Sequence, residues 1–320
     1  MSMSKPSRLS ILAAYAAIYI IWGSTYLVIR IGIETIPPNL LAATRFLAAG
    51  IPGLFLFQLR SKSPVSGRQW ANAVLIGTLM LAGGNGLVTW AELRVPSSIA
   101  ALLITSVPLW MVLLDAFVWR RAKMSPAVWL GLISGVGGVV LLVGPSGADA
   151  AAVDPLGAAA LVLASLFWAL GSLYSRGADQ PASPLLSVSM QMVGGGAVLL
   201  LVSVLRGEFE SFVLADVSRA SALATLYLTF LGSIVALSCY VWLLRHQPAS
   251  SVSTYAFVNP IVAVILGWAV AGEQLGPRTL IAGVLIVGAV LLIHYTKLRS
   301  TRGVKKHAPE LVGQAEILEA

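Results

Sequence analysis

The side chains that enzymes use for acid–base and covalent chemistry are sparse in this sequence and are not grouped. The three histidines are His246, His294 and His307, and none has Asp, Glu or Cys at metal-ligand spacing. The HExxH, GxSxG and Walker A motifs are absent. The single cysteine, Cys239, excludes an internal disulfide. The sequence therefore predicts no catalytic site, no cofactor and no metal, and an enzyme is the less favoured alternative.

Aromatic and polar side chains instead recur three and four residues apart, a spacing that places them on one helical face. The stripes are Tyr15, Tyr19, Trp22, Tyr26 and Arg30; Thr78, Asn85, Thr89 and Glu92; Ser165, Trp168, Ser172 and Arg176; and Ser251, Tyr255 and Asn259. Aromatic rings with a few hydrogen-bonding groups suit an amphipathic organic ligand. We therefore predict a small-molecule site that includes Trp22, Tyr26, Asn85, Trp168, Tyr255 and Asn259. Alternatively, Ser, Thr and Asn simply join helices, and Tyr15 and Tyr19 belong to an aromatic interface belt.

Arg45 is the side chain whose burial in a bilayer would cost the most free energy, because its charge lies within a long apolar run. Its counterpart in the repeat described below is Gln191. We predict both residues as ligand-binding positions. For Arg45 two further roles stay open, an ion pair with Glu92 and extension of its side chain towards the end of the run. Proton coupling through Asp115, Glu92 or Glu34 is a weaker alternative.

Pro108 and Pro260 also lie inside apolar runs. Each proline removes a backbone donor and frees the carbonyl four residues earlier, at Ile104 and Ala256. We predict both prolines as hinges, with a static kink as the alternative. The glycines Gly131 and Gly135 predict close packing against another helix or a second copy of the chain, so a homodimer stays open.

The composition indicates the environment of these runs. Of the 320 residues, 58% are hydrophobic and only 11% are charged, whereas soluble domains carry about 25% charged residues. Apolar runs of about 20 residues are long enough to cross a bilayer. The predicted spans are 9–29, 39–59, 70–91, 97–119, 127–144, 155–175, 184–205, 219–244, 249–271 and 277–295. The fold class is thus an all-α integral membrane protein, and the lipid bilayer is its expected partner.

The distribution of positive charge predicts the orientation of these spans. The net charge is +8, but the basic residues lie at the ends of apolar runs, which favours membrane topology over nucleic-acid binding. Placing the N-terminus in the cytoplasm puts fifteen of the 21 Lys and Arg residues on the cytoplasmic side. We therefore expect both termini in the cytoplasm, with the chain in the inner (plasma) membrane.

The two halves of the chain resemble one another. The matching positions are Trp22 and Trp168, Arg30 and Arg176, Pro38 and Pro184, Trp90 and Trp242, Pro96 and Pro248, Ser98 and Ser250, and Pro108 and Pro260. Because each half has five spans, an odd number, the second half must enter the membrane from the opposite side. Inverted repeats of this kind can exchange conformations and so open a central site to each side in turn.

The sequence also resembles a known family. WGSTYLVIR (22–30) and TRFLAAG (44–50) are similar to the opening of an EamA domain, and SVSTYAFVNPIVAVILGWAVAGEQL (251–275) is similar to its close in the second copy. One position departs from the repeat, since Glu273 has Arg121 as its counterpart. Over residues 9–295 the chain therefore resembles members of the EamA family in the drug/metabolite transporter superfamily.

This resemblance implies a ten-span transporter, often an exporter, of small organic metabolites such as amino acids, related compounds or drugs. It implies a central cavity between the repeats, with the fifth and tenth spans at the periphery. The predicted organisation is a cytoplasmic N-terminus (1–8), a first repeat (9–144), a linker (145–154), a second repeat (155–295) and a cytoplasmic tail (296–320). The alternatives are a flippase for small lipids or polyprenyl carriers and, less favoured, an intramembrane enzyme.

Overall fold

The computed structural model describes residues 6–60, 64–118, 125–143, 153–247, 249–252 and 254–296. Within these ranges nine helices are long and apolar enough to cross a membrane, and one shorter apolar helix accompanies them. We number the ten spans in chain order. They are α1 (Arg8–Gly32), α2 (Pro38–Leu59), α3 (Gly67–Ala91), α4 (Ser97–Phe117), α5 (Pro126–Val143), α6 (Pro155–Ser175), α7 (Pro184–Leu205), α8 (Arg219–Leu244), α9 (Ala249–Val252 and Tyr255–Ala271) and α10 (Pro277–Thr296). The prediction of an all-α protein with ten spans is confirmed.

Residues with specific capping chemistry begin these helices. The Ser7 and Ser218 side chains accept hydrogen bonds from Ser10 N and Ser221 N, and Asp154 Oδ1 accepts one from Gly157 N. Ser66 and Gln69 form a capping box at the start of α3. Proline opens α2, α5, α6, α7 and α10, where its missing N–H has no helical partner to lose. Caps and prolines thus set the helix starts close to the predicted boundaries.

Consecutive helices are antiparallel and run between two faces. We call these the Arg8 face, where α1 begins, and the Glu92 face, where α3 ends. In one group α1 packs with α8 and α9, and α2 packs with α8; in the other, α3 packs with α6 and α7, and α4 packs with α6. Each group therefore combines helices of both repeats. The groups meet chiefly where α2 packs along α7 and where the first half of α4 packs against α9.

The fifth and tenth spans pack against each other. The Cβ of an alanine at Gly131 would lie 2.7 Å from Ile293 Cγ1, and one at Gly138 would lie 2.7 Å from Ile286 Cγ1. Gly135 lies against Ala289 and Leu109. The glycines predicted to mediate close packing therefore contact α10 of the same chain.

The third span of each repeat contains a π-helical segment. In α3 it covers Thr78–Gly86, and in α8 it covers Leu228–Val235. π-helical turns are rare and often occur at functional sites. The two π-helical segments lie at corresponding places in the two repeats, so the repeats share this feature of their third span.

Two spans are interrupted near the predicted hinges. In α4 the helix ends at Ile104 and resumes at Val107, one residue before Pro108. In α9 the second helical part begins at Tyr255, and Pro260 lies inside it. The break therefore adjoins the proline in α4 but precedes it by more than a turn in α9. Their role as hinges stays a prediction.

Candidate functional site

An aromatic cluster lies where α1, α8 and α9 meet. The Trp22 ring is 5.0 Å from the Tyr255 ring and 5.4 Å from the Tyr240 ring, and the two tyrosines are 5.8 Å apart, all measured between centroids. All three side chains are partly exposed. The structure thus brings together two of the predicted ligand-binding residues and adds Tyr240.

Trp22 is held by the π-helical segment of α8. Its Nε1 donates a hydrogen bond of 3.0 Å to the carbonyl oxygen of Gly232. The repeat-related tryptophan, Trp168, packs on Gly84 of α3, where the Cβ of an alanine would lie 2.9 Å from Trp168 Cε3. Each tryptophan therefore contacts a glycine of the π-helical segment in the other repeat, Trp22 through the Gly232 carbonyl and Trp168 through ring packing. Each tryptophan thus lies at a contact between the repeats.

Arg45 is buried beside the aromatic cluster. Its Nε donates a hydrogen bond of 3.1 Å to Ser233 Oγ, next to the Gly232 carbonyl that Trp22 contacts. Its guanidinium carbon lies 4.8 Å from the centroid of the Phe46 ring. Among the residues that the structure describes, no carboxylate lies within ion-pair distance of Arg45. The alternative of an Arg45–Glu92 pair is therefore not realised in this conformation.

Asn259 lies one turn beyond Tyr255 on α9, where its backbone carbonyl faces Gly23 of α1. Its side-chain Oδ1 is buried and has no hydrogen-bond partner among the residues that the structure describes. The same is true of the Tyr15 hydroxyl, nearer the Arg8 face. An unsatisfied buried acceptor is costly, so a ligand donor near Asn259 would be stabilised.

Tyr26 connects the aromatic cluster with the Glu92 face. It lies one helical turn beyond Trp22 on α1 and packs against the apolar cluster that contains Ala91, the last residue of α3. The α1 stripe continues to Arg30, whose guanidinium donates to the backbone carbonyl of Glu92. The predicted α1 stripe therefore contacts other helices from Trp22 to Arg30.

The other predicted residues do not join the aromatic cluster. Asn85 is partly buried within the π-helical segment of α3, next to Gly84, which packs on Trp168. Gln191 lies on α7, and its Nε2 donates to Gln180 Oε1 and Ser187 Oγ, both at 3.1 Å. These hydrogen bonds lie near the Arg8 face, whereas Arg45 lies in the half of α2 nearer the Glu92 face.

The shared face of the α3 stripe stays a prediction, because the stripe was based on a 3.6-residue period and α3 is π-helical over Thr78–Gly86. Thr78 lines a cavity of about 440 Å³ between α3, α6 and α7 that does not include Asn85. This cavity is mainly apolar and is lined by residues of both repeats, among them Phe167, Trp90 and Arg206. None of the predicted ligand-binding residues lines it.

Two glutamates join the helix groups by hydrogen bonds at the Glu92 face, and sequence reasoning missed this role for both. Glu273 follows α9 and accepts hydrogen bonds from Ser97 N and Ser97 Oγ, each 2.7 Å, and from Ser98 N at 3.0 Å. It thereby caps α4 in the other helix group. Burial by itself would raise the pKa of Glu273, but the hydrogen bonds from Ser97 and Ser98 outweigh it and lower that pKa.

The second of these glutamates is Glu208, in the turn after α7. Its carboxylate accepts hydrogen bonds from Asn39 Nδ2 at 2.6 Å, Leu40 N at 2.9 Å and Ser203 Oγ at 2.8 Å. It caps α2, again in the other group. The sequence signal common to both sites is Gly-Glu directly after an apolar span (Gly207-Glu208 and Gly272-Glu273), and both glycines have positive φ.

Among the described residues, the hydrogen bonds that join the two helix groups lie at one face. They are made by Glu208, Glu273 and Arg30, all at the Glu92 face. At the Arg8 face the described hydrogen bonds, such as Tyr19 to Thr254 and Tyr174 to Asn72, stay within a group. We call the hydrogen bonds of Glu208 and Glu273 the latches of the Glu92 face.

Comparison with known proteins identifies this architecture. A family model described as EamA-like transporter family matches residues 9–144 and 155–295. The chain belongs to the EamA-like transporter family. This EamA protein is 39% identical over 286 residues to the Escherichia coli (strain K12) protein named "Uncharacterized inner membrane transporter YedA", covering 89% of this chain and 90% of that protein.

More distant relatives carry similar names. The Salmonella typhimurium protein named "Probable amino-acid metabolite efflux pump" is 25% identical over 283 residues, covering 84% of this chain and 91% of that protein. Protein PecM of Dickeya dadantii is 27% identical over 286 residues, with 88% and 91% covered. One crystal structure shares the fold with a TM-score of 0.58 at 23% identity, covering 90% of this chain and 98% of that chain. This EamA protein is a multi-pass transporter of the inner membrane.

Proposed function

We propose that this EamA protein is a secondary transporter that exports small amphipathic organic solutes bearing a carboxylate, such as amino acids or related metabolites. The observation that carries this proposal is the buried guanidinium of Arg45, which has no described carboxylate partner and adjoins the aromatic cluster of Trp22, Tyr240 and Tyr255. A buried charge is stable only when it is compensated. A solute carboxylate at Arg45 would provide that compensation, and the aromatic rings would bind the apolar part.

The arrangement of the helix groups supports alternating access. The groups are latched at the Glu92 face, and each combines helices from both inverted repeats. In the orientation predicted from the charge distribution, the Arg8 face is cytoplasmic. A solute would then enter from the cytoplasm while the Glu92 face is closed, and it would leave after the latches of Glu208 and Glu273 open.

The amino-acid part of the proposal is also supported by one relative. The name of the Salmonella typhimurium protein refers to amino-acid metabolite efflux. The same solute class fits a site that contains one arginine, three aromatic rings and the side-chain Oδ1 of Asn259, which has no described partner.

A lipid substrate is the second candidate, and one observation favours it. The mainly apolar cavity between α3, α6 and α7 has Arg206 at the edge nearer the Glu92 face, an arrangement suited to an acyl chain with an anionic headgroup. Such a flippase would use this cavity and would not depend on Trp22 or Arg45.

Counterflow in liposomes that contain the purified protein distinguishes the two candidates. Labelled amino acids and their decarboxylated amines are screened for saturable exchange with the wild type, Trp22→Ala and Trp268→Ala. Trp268 is a matched control, because its side chain is 61% exposed on the outer surface of α9. We expect exchange by the wild type and Trp268→Ala and a strong loss in Trp22→Ala. Equal exchange by all three proteins, or scrambling of a labelled phospholipid without amino-acid exchange, contradicts the proposal.

A further inference from the structure

Glu92 has an unusual environment for a carboxylate. It directly follows the last residue of α3 and is fully buried, with 0% of its surface exposed. Within the described part of the chain, neither carboxylate oxygen has a hydrogen-bond partner. Burial in such a place costs an ionised carboxylate a large free energy of desolvation, whereas the same cost is much smaller for the protonated carboxyl group.

The groups around Glu92 do not neutralise it. From α1, Arg30 donates to the backbone carbonyl of Glu92, and Tyr26 packs against the apolar cluster that contains Ala91, the residue before Glu92. From the segment after α9, Glu273 faces it with a second carboxylate, which is bound by Ser97 and Ser98 of α4. Burial, with a smaller contribution from the charge of Glu273, raises the pKa of Glu92 well above its ordinary value, and Arg30 offsets only part of this.

We propose that Glu92 is a proton-binding site that holds a proton while the Glu92 face is closed and releases it to water when that face opens. The inference rests on the proposed transport cycle and adds a bound proton to it. The proton leaves a carboxyl oxygen of Glu92 for a water molecule on that side, and it returns to the same oxygen before the face closes. No other bond changes. Tyr26, between Glu92 and Tyr255, connects this site with the aromatic cluster.

The sign of the pH dependence follows from this linkage. Opening brings water to Glu92 and moves its pKa back towards the ordinary value of about 4.3. Protonation therefore favours the closed form, and opening becomes easier as the pH rises from that value through the raised pKa of the closed form. One proton changes the ratio of open to closed molecules by at most about tenfold per pH unit.

The test measures the opening of the Glu92 face directly. Spin labels are placed at Glu34 after α1 and Leu156 at the start of α6, because both side chains are exposed and belong to different helix groups. The native Cys239 is replaced by Ser to leave two labelling sites. Pulsed electron–electron distances are measured in liposomes between about pH 5 and 9 for the otherwise unchanged protein, Glu92→Gln and Glu210→Gln. Glu210 is an exposed glutamate in the turn after α7 and serves as the matched control.

We expect the longer, open distance to gain population with rising pH in the unchanged protein and in Glu210→Gln. In Glu92→Gln the closed population should stay at its acidic value across the range. A pH response in Glu92→Gln equal to that of the unchanged protein overturns the proposal, and so does a distance distribution in the unchanged protein that does not respond to pH.

A second measurement keeps the test valid if Glu92→Gln folds poorly. Infrared difference spectra of the wild type between acidic and alkaline pH should contain the carbonyl band of a buried protonated carboxyl group. In Glu92→Asp the same band should shift in frequency, because the shorter side chain places its carboxyl group in a different environment. Identical bands in both proteins would assign the proton elsewhere. Transport that persists without pH-dependent opening would refute this inference alone, and absence of transport in folded protein would refute the proposed function.

Discussion

The latch at Glu273 provides a quantitative prediction for opening of the Glu92 face. Its carboxylate accepts three hydrogen bonds of 2.7–3.0 Å from Ser97 and Ser98, which are the first two residues of α4. In Glu273→Gln one oxygen remains and the negative charge at the helix N-terminus is lost. The Ser98 N–H then loses its partner, and the remaining bonds become neutral and weaker.

The expected change is modest, because the carboxylate is only half-buried. Hydrogen bonds to charged groups contribute about 1.5–3 kcal/mol each, and solvent screening favours the lower end. Loss of one such bond and weakening of the others gives about 1–2 kcal/mol, which corresponds to a roughly 5–30-fold increase in the population of the open face.

Hydrogen–deuterium exchange of the peptide that contains Ser97 and Ser98 measures this opening. We expect exchange about 5–30-fold faster in Glu273→Gln, and no change in Glu210→Gln. Because its pKa is lowered, Glu273 contributes fully above the ordinary carboxylate value of about 4.3 and loses its contribution only as the pH falls through the lowered pKa. Equal exchange in Glu273→Gln and the wild type at neutral pH would refute the latch.

Three further substitutions test the site. In Arg45→Gln the apparent affinity for a carboxylate solute should fall about 10–150-fold in counterflow, as expected from losing a charge-assisted hydrogen bond of about 1.5–3 kcal/mol, while Arg45→Lys retains part of it; unchanged affinity in both would remove Arg45 from the site. Asn259→Ala should leave the thermal midpoint unchanged or slightly raised, since it removes an unpartnered buried carbonyl, yet weaken solute exchange; a large loss of stability would indicate a structural role. Gly84→Ala should impair exchange because its Cβ would lie 2.9 Å from Trp168, and Gly288→Ala, with open space around it, should exchange solute normally; equal activity of the two would contradict the close packing.

The spans could be predicted from the sequence because each depends on local properties. Apolar length, an N-terminal cap and proline at the first turn fix a helix such as α7, whose predicted range 184–205 agrees with Pro184–Leu205. The shared tryptophans likewise indicated two related halves. In the structure Trp22 donates to the Gly232 carbonyl and Trp168 packs on Gly84, so each tryptophan contacts a glycine of the other repeat.

The parts that could not be predicted depend on contacts between distant residues. The Thr78–Asn85 stripe assumed a regular α-helix, but a π-helical segment changes which residues share a face, and only the glycines of α3 and α8 hinted at it. Glu208 and Glu273 looked like ordinary loop acids, since the helix starts that they cap lie more than 160 residues away in sequence. Tyr240 was missed because the residues three and four positions away from it are apolar, so it belonged to no polar stripe.

The most direct test of the central claim is competition in counterflow between an amino acid and the amine that lacks its carboxylate. Liposomes with the wild-type protein are loaded with an unlabelled amino acid that supports exchange, and uptake of the labelled form is measured with each competitor outside. We predict that amino acids with apolar side chains compete and that the matching amines do not, because only the carboxylate compensates Arg45. Equal competition by the amines, or no exchange by liposomes shown to contain folded protein, would contradict the account.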